Sequence, residues 1–426
     1  MKICRYIGVV VFGAFLLSLL PHAAGNDKKE PAKASAAEIE KLVKDLGSKN
    51  EKTANNAIES LEKIGQLAAG DLFDVVHEKK DSKMRSNAIL TLGLIRQKAA
   101  KEKDDAATEV IEDVLLRQLR DPDGEIVNAA AGALTGNMPR SKRAIPELIA
   151  ILRSDDKPYL ARAAASVGLQ NFGPEAAVAI PVLLECLQHK VEHKIHVEGK
   201  TALERAEKYR QAFLTSKKYV EGERAGLCRV FRAIGPKDAR VVSAMSKILK
   251  NRTEHPLLRG GAAHFLVESA TDAGQAALPD IVDALVETGE KKKDFPFSIL
   301  RNILISALGH VKLTHKEVTL LVAVAVNPDE AVDTRELAVR TLTSAGKVSH
   351  AAWLPLYQVL QDEGLQPGTP RIDIVIALGK IDPPPDEDRA ALAKALKLTF
   401  DRILRDRNDP DLAAEMAESL KKIEKR

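Results

Sequence analysis

The chain has 426 residues, which exceeds the usual size of one compact domain and predicts several domains or an array of repeats. Aromatic residues make up only 4% of the chain, which favours many small helical interfaces over one large core. The 64 Lys and Arg residues nearly balance the 60 Asp and Glu residues, so the charge gives no support to nucleic-acid binding.

Residues 1–24 have the pattern of a secretory signal peptide. Lys2 and Arg5 precede an apolar run over 7–20, and small residues follow up to Ala24. As a helix this run would be about 21 Å long, which is too short for a hydrocarbon layer of about 30 Å, so cleavage is favoured over an uncleaved anchor. We therefore expect an exported protein, periplasmic or extracellular, with a polar linker over 25–37 and no membrane span after cleavage.

A spaced pattern recurs from residue 38 to residue 426. A small or aliphatic head residue is followed by Leu or a similar residue four positions later and by Ile or a similar residue three positions after that. Residues at i, i+4 and i+7 lie on one side of a helix, so each copy predicts a helix with one buried stripe. Most copies lie 31 to 42 residues apart, and their heads are Ala57, Ala88, Ala130, Ala165, Leu227, Ala263, Leu304, Ala338, Ile374 and Met416.

Proline indicates where the partner helices begin. Pro181, Pro279 and Pro355 follow a stripe by nine or ten residues, and the surrounding sequences, such as AIPVLLECL and ALPDIVDAL, resemble one another. Because Pro is tolerated only in the first turn of a helix, each is expected to mark the start of a new helix. Each repeat is therefore predicted to be a helical hairpin whose second helix carries the stripe.

Six copies have an Arg three residues before the head: Arg85, Arg162, Arg224, Arg301, Arg335 and Arg371. With the Pro and stripe positions, this pattern resembles the HEAT repeat family, in which an Asp in the turn and an Arg on the second helix form a hydrogen-bonded ladder between repeats. The resemblance implies an all-α, right-handed α-solenoid of about ten helical hairpins over 38–426. It also implies the pairs Asp156 with Arg162 and Asp329 with Arg335. The segment RDPDGEIVNAAAGALTG, residues 120–136, is similar to the phycobilisome-lyase-like HEAT repeats.

An insertion over 189–222 interrupts the array, because the stripes that end at Phe172 and Ile234 lie 62 residues apart. A capping box at Thr201 and an apolar stripe behind it predict a helix within the insertion. This helix either docks a partner protein or packs on the solenoid. The candidate partner contacts are Tyr209, Phe213 and Tyr219.

A cluster of His residues at the start of the insertion is the one candidate metal site. HKVEH, residues 189–193, fits the H-x-x-E-H spacing of the inverzincin peptidases. That family uses a different fold and a distant third ligand, so peptidase activity is not expected here. The alternatives for the segment are a Zn or Cu site and a solvated loop in which neighbouring Lys residues repel cations. The candidate ligands are Cys186, His189, His193 and His196.

Three further features have alternative interpretations. Cys186 and Cys228 could pair as one disulfide in an exported protein, but two half-buried thiols on apolar helix faces are favoured. The sequence KKKDFPF, residues 291–297, could be a contact loop, but a turn whose Phe side chains are buried is favoured. Trp353 is expected to fill a gap between repeats.

These patterns together favour an exported HEAT-repeat scaffold that binds a protein partner, without catalysis or a cofactor. The sequence contains no glycine-rich phosphate loop, no G-x-S-x-G and no C-x-x-C-H. A resemblance to deoxyhypusine hydroxylase would need several His-Glu dipeptides, and His77-Glu78 is the only one. The alternative function is a metal-binding or metal-dependent protein that uses the His cluster of the insertion.

Overall fold

The structure is a computed structural model that describes residues 34–78, 81–136, 139–154, 156–189, 221–269, 271–291, 294–344, 352–361, 371–381, 389–406 and 410–425. Within these ranges the chain forms α-helices, short 3-10 segments and turns, without a β-strand. It divides into two compact units, Met1–Val220 and Glu221–Arg426, called unit 1 and unit 2. The predicted signal peptide, most of the predicted linker and nearly all of the insertion lie outside the described residues, so their boundaries stay predictions.

The helices of unit 1 are α1 (Ala36–Asp45), α2 (Glu51–Ile64), α3 (Ala69–His77), α4 (Ser82–Lys101), α5 (Asp105–Gln118), α6 (Gly124–Thr135), α7 (Ala144–Arg153), α8 (Tyr159–Phe172) and α9 (Ile180–Cys186). Those of unit 2 are α10 (Glu221–Ile234), α11 (Ala239–Lys250), α12 (Pro256–Ser269), α13 (Thr271–Glu287), α14 (Phe297–Leu308), α15 (His315–Val326), α16 (Val332–Ser344), α17 (Trp353–Gln361), α18 (Arg371–Lys380), α19 (Arg389–Asp406) and α20 (Pro410–Lys425).

The helices alternate between two roles, which we call A and B. The odd-numbered helices α1 to α9 and α11 to α19 are A helices, and the even-numbered helices are B helices. Within each unit, every B helix that follows an A helix of the same unit packs against that A helix, and successive B helices of a unit pack against each other. The described residues thus contain nine complete hairpins, and α9 and α10 flank the insertion. The predicted fold, an all-α array of about ten hairpins, is confirmed.

Polar caps and prolines set the starts of several helices. The side chains of Asn50, Asp81 and Asp123 accept hydrogen bonds from backbone N–H groups in the first turns of α2, α4 and α6. Pro181 lies in the first turn of α9, as expected. The expectation for Pro279 is wrong, because it lies in the middle of α13, which begins eight residues earlier. A Cβ at Gly274 would lie 2.8 Å from the Cα of Val267, so the turn before Pro279 packs directly on α12.

The predicted stripes form the core between the A and B layers. Heads such as Ala88, Ala165 and Ala338 have no exposed surface, and neither do Leu92 and Leu169 one turn later. In unit 2 the predicted stripe residues Ala263 and Val267 of α12 are buried as expected, and so are Ala262 and Leu266. The spacing behind an Arg selects Ala262 as the head, because Arg259 stands three residues before it, as in the other repeats. Trp353 is fully buried, donates from Nε1 to the Leu378 carbonyl at 3.3 Å and lies against the ring of Tyr357, so these contacts lie within the hairpin of α17 and α18, whereas a gap between repeats was expected.

Small residues allow neighbouring B helices to approach closely. A Cβ at Gly93 of α4 would lie 2.7 Å from the Cβ of Ala133 on α6, and one at Gly379 of α18 would lie 2.5 Å from Oγ of Ser419 on α20. Real side chains do not tolerate such distances, so a larger residue at either position would push two B helices apart.

A buried Arg joins successive hairpins in both units. In unit 1, Arg85 of α4 donates from Nε to the carbonyl of Val76, at the end of its own A helix, and from a terminal nitrogen to Asp121 at 2.6 Å. Asp121 lies in the turn of the following hairpin. The guanidinium therefore ties the end of one helix, where carbonyls lack partners, to the carboxylate of the next repeat.

The same arrangement recurs in unit 2 with Glu in place of Asp. Arg301 donates to both carboxylate oxygens of Glu330 at 3.1 and 2.7 Å and to the Leu285 carbonyl at 2.9 Å. Arg224 makes two hydrogen bonds of 3.0 Å to Glu254, and Arg259 makes two of 3.0 Å to Glu287. Arg259 was missed in the sequence because the stripe of α12 was placed one residue too late.

The ladder between repeats exists, but its acidic partners differ from the expected ones. The expected partner precedes each Arg in its own turn, whereas the observed carboxylates lie 28 to 36 residues after the Arg, in the next hairpin. Among the described residues, Arg335 donates to the Ala325 carbonyl and Asp329 is not its partner. Arg162 is fully buried and donates to the Lys157 carbonyl, and its pairing with Asp156 stays a prediction. The side chain of Arg371 lies outside the described part.

One helical stretch within the described ranges, Tyr159–Cys186, is long and apolar enough to cross a membrane by length and composition. It combines α8, a 3-10 turn and α9, and its backbone leaves helical geometry at Gly173 and Ala176. Ala161 and Leu169 within it are fully buried in the protein. A core helix of a water-soluble protein passes the same test, so this stretch is weak evidence for a span.

Candidate functional site

The exposed side of the B helices is the surface that hairpin packing leaves unused. A residue two positions after a head is rotated by about 200° from it, so it points away from the buried stripe. All of these residues are exposed or half-buried, in contrast to the heads. We call this surface the B face; it consists of Glu59, Leu90, Gly132 and Val167 in unit 1 and of Arg229, His264, Ser306, Arg340, Ile376 and Glu418 in unit 2.

In unit 1 the B face is mostly uncharged. Leu90 and Val167 stand on either side of Gly132, on the B helices before and after α6. A Cβ at Gly132 would meet nothing within 4 Å, so the glycine faces open space. Val167 is 39% exposed. Apolar side chains flanking an open glycine make a shallow surface that an apolar side chain of a partner could occupy.

In unit 2 the B face carries ionic and imidazole groups that connect neighbouring B helices. Nδ1 of His264 on α12 lies 3.2 Å from a terminal nitrogen of Arg232 on α10 and 3.2 Å from a carboxylate oxygen of Glu268. Arg232 and Glu268 themselves form an ion pair. The ring of His310, just after α14, meets that of His264 edge-on at 6.3 Å between centroids. The cluster thus spans three consecutive hairpins.

A second ionic contact lies further along the B face. Nε of Arg340 on α16 donates to Asp373 on α18 at 2.8 Å, and a terminal nitrogen lies 3.5 Å from Glu336 on the same helix. The hydrogen bond to Asp373 and its charge raise the pKa of Arg340. Arg340 is well exposed, so this contact contributes less to stability than the buried ladder.

The candidate metal ligands are only partly within the described residues. Cys186 is buried, with Sγ 3.8 Å from the Leu152 carbonyl, and His189 is half-buried. Both line a cavity of about 290 Å³ together with Leu152 and Val182. His193 and His196 lie outside the described residues, as do the candidate partner contacts Tyr209, Phe213 and Tyr219. In the part that the structure describes, no three His, Cys, Asp or Glu side chains are placed to hold a metal ion, so the metal site stays a prediction.

Cys186 and Cys228 are both thiols, as favoured from the sequence, but they are buried rather than half-buried. Burial raises the pKa of the Cys228 thiol to about 12. Since the thiolate is the reactive form, Cys228 is chemically inert near neutral pH.

The loop at 291–297 departs from expectation. Phe295 is 64% exposed, whereas both Phe side chains were expected to be buried. Phe297 is half-buried as the first residue of α14, and Nζ of Lys291 lies 4.6 Å from its ring centroid. A cation over an aromatic ring is an attractive contact, which explains why this Phe stays at the surface of its hairpin.

No family model matches this chain, and none of the curated proteins matches it. Among solved structures, the chain is similar to Kap121p, with a TM-score of 0.52 and 12% identity over 93% of this chain and 46% of Kap121p. It is also similar to Kap95p in complex with RanGDP, with a TM-score of 0.55 and 11% identity over 90% of this chain and 50% of Kap95p. The chain therefore spans about half the length of these karyopherins.

At these identities the similarity shows the fold alone. The two karyopherins are HEAT-repeat solenoids, which agrees with the hairpins, stripes and Arg ladder of this chain. The comparisons give no support to the phycobilisome-lyase-like branch. The chain thus has an all-α fold of helical hairpins similar to that of these solenoids, and the B face is the surface that packing of the hairpins leaves unused.

Proposed function

We propose that the chain is an exported, non-catalytic scaffold that binds a protein partner through the B face. The observation that carries the proposal is the contrast between the two sides of each B helix. One side is fully buried at Ala88, Ala165 or Leu304, whereas the residue two positions later is accessible on helix after helix. Repetition of an accessible position at each hairpin gives an extended surface that grows with the number of repeats.

Similar solenoids support the proposal through their complexes. Kap121p has been solved bound to Nup53p and bound to Pho4p, and Kap95p binds RanGDP. Such a fold can therefore present an extended surface to other proteins. The partner of the present chain follows from its own B face, because fold alone does not determine function.

The proposed partner is a protein rather than a nucleic acid. On the B face, Arg229 and Arg340 are balanced by Glu59 and Glu418. A nucleic-acid surface would need a clear excess of Lys and Arg along one side. Mixed charges next to apolar residues are typical of protein interfaces.

Two parts of the proposal rest on the sequence. Export follows from the signal-peptide pattern of residues 1–24. An additional contact through the insertion, by Tyr209, Phe213 and Tyr219, follows from its predicted apolar stripe and from the frequent use of aromatic residues at interfaces.

The main experiment compares two double variants of residues 26–426, immobilised and exposed to the exported fraction of the native source. Val167→Glu with Arg229→Glu changes the B face in both units. Val178→Glu with Lys247→Glu changes residues that are also exposed but lie outside it. We expect a protein that is retained by the wild type and the second variant and lost from the first. Equal retention by both variants, with unchanged unfolding midpoints, would refute the B face as the binding surface.

Export and the insertion are tested separately. Residues 1–30 fused to alkaline phosphatase should yield an active enzyme in a bacterial host, since this enzyme needs disulfides that form outside the cytoplasm. Inactive, uncleaved fusion protein would contradict export. Deletion of 190–220 should leave helical circular dichroism of the hairpins unchanged, because each hairpin packs mainly on its neighbours. Loss of the partner upon deletion would support a contact through the insertion.

A further inference from the structure

In the cluster around His264, one ring nitrogen lies near both a guanidinium and a carboxylate. Nδ1 of His264 is 3.2 Å from a guanidinium nitrogen of Arg232 and also 3.2 Å from a carboxylate oxygen of Glu268. An Arg can only donate a hydrogen bond, and an ionised Glu can only accept one. The same nitrogen therefore faces one group that needs an acceptor and one that needs a donor.

The protonation state of His264 decides which contact it makes. In the neutral ring with the proton on Nε2, Nδ1 accepts from Arg232 and links α12 to α10. After protonation, Nδ1 carries a hydrogen, so it can donate to Glu268 and can no longer accept from Arg232. The proton thus removes the hydrogen bond between Arg232 and His264, makes His264 compete with Arg232 for Glu268, and places a positive charge beside the guanidinium.

The other neighbours of His264 favour the neutral state. Arg232 approaches from α10 and His310 from the end of α14. Among the described residues, Glu268 on α12 is the acidic group that contacts His264, and it is already paired with Arg232. The A helices α11 and α13 pack against the opposite side of α12, behind the buried Ala262 and Leu266. Burial, the charge of Arg232 and His310 together hold the pKa of His264 below its usual value of 6.5.

We propose that His264 is an acid-sensitive link between the hairpins of α10, α12 and α14, closed while its ring is neutral and opened by protonation. The sign follows from linkage. The opened or unfolded chain takes up the proton more readily than the folded chain, so the contribution of this link is complete above about pH 6.5 and is lost as the pH falls below that value. If the pKa of His264 in the folded chain is one pH unit below 6.5, the equilibrium constant for local opening increases about tenfold at low pH.

The test uses the full chain and the variant His264→Gln. Gln is neutral at all of these pH values, and its amide oxygen can accept from Arg232, so the variant keeps the link but cannot be protonated. His77→Gln, on an exposed His of unit 1, is the matched control. Hydrogen–deuterium exchange of peptides from the whole chain is compared between variants at the same pH, which removes the intrinsic effect of pH on exchange.

We expect equal exchange for wild type and His264→Gln at pH 7.5 and several-fold faster exchange of the wild type at pH 5.5, confined to 221–308. His77→Gln should behave like the wild type. An NMR titration of the His264 ring should give a midpoint below 6.5. A midpoint at or above 6.5, or equal exchange of His264→Gln and the wild type at pH 5.5, would overturn the proposal. Both measurements use the chain alone, so their results do not depend on the proposed protein partner.

Discussion

Units 1 and 2 have the same buried link between hairpins and different exposed surfaces. In unit 1 the B face presents Leu90, Gly132 and Val167, whereas in unit 2 the equivalent positions hold Arg229, His264 and Arg340. In both units, buried Arg side chains such as Arg85 and Arg301 join a hairpin to a carboxylate of the next. Stacking requires the same contacts at every repeat, so the buried side is constrained while the exposed side is free to diverge.

The largest effect should come from breaking the buried link. Arg301→Ala leaves the carboxylate of Glu330, only 4% exposed, without its charged partner. Breaking a buried pair from one side costs about 3–5 kcal/mol, so unit 2 should unfold at clearly lower urea concentration. Arg252→Ala is the control, because its contact to Glu287 at 3.8 Å is exposed and worth at most about 1 kcal/mol.

Comparison of these two variants shows whether the buried Arg301 stabilises the stacking of hairpins more than an exposed Arg does. If Arg301→Ala and Arg252→Ala lower the free energy of unfolding equally, the ladder does not join the hairpins. Replacing both partners, as Arg301→Met with Glu330→Met, should recover much of the loss, because no unpaired charge then stays buried.

Two glycines in unit 1 allow the same substitution to be compared on the packed side and on the open side of the B helices. Gly93→Ala places a Cβ 2.7 Å from that of Ala133 and should destabilise by about 1–3 kcal/mol. Gly132→Ala adds the same methyl group on the B face, where nothing lies within 4 Å, and should stabilise by about 0.5–1 kcal/mol. Thermal unfolding measures both. If Gly132→Ala lowers the free energy of unfolding as Gly93→Ala does, Gly132 does not face open space.

A smaller effect is expected from acid on the ladder of unit 2. Hydrogen bonds from Arg259 and its charge lower the pKa of Glu287 below 4.5, although burial acts in the opposite direction. A carboxylate with a lowered pKa stabilises the fold above its ordinary pKa and loses that contribution as the pH falls through the lower value. The urea midpoint of the wild type should therefore fall as the pH is lowered below about 4.5, and in Glu287→Gln this fall should be smaller. Glu290 is exposed and nearby, so Glu290→Gln should show the same fall as the wild type. If the urea midpoint depends on pH equally in all three proteins, the pair of Arg259 with Glu287 is not the cause of the acid sensitivity.

Part of the B face could be predicted from the sequence, because its positions follow from helical geometry once the heads are known. Val167 and Arg340 stand two residues after Ala165 and Ala338, and both are exposed as that spacing requires. His264 was missed, because the stripe of α12 was placed at Ala263 instead of Ala262. The Arg three residues before a head was the available signal, since Arg259 stands three residues before Ala262 and four before Ala263.

The sequence by itself determined the hairpins, because an apolar stripe of period 3.6 and the start of a helix depend on residues within one or two turns of each other. The buried heads and the first-turn Pro181 are examples. Only the tertiary structure decided which groups meet across repeats. Glu330 rather than Asp329 lies in the ladder, and it pairs with Arg301 of the preceding hairpin. Neighbouring acids in a turn are equivalent in sequence, and only the packing of one hairpin on the next selects the carboxylate that reaches the buried guanidinium.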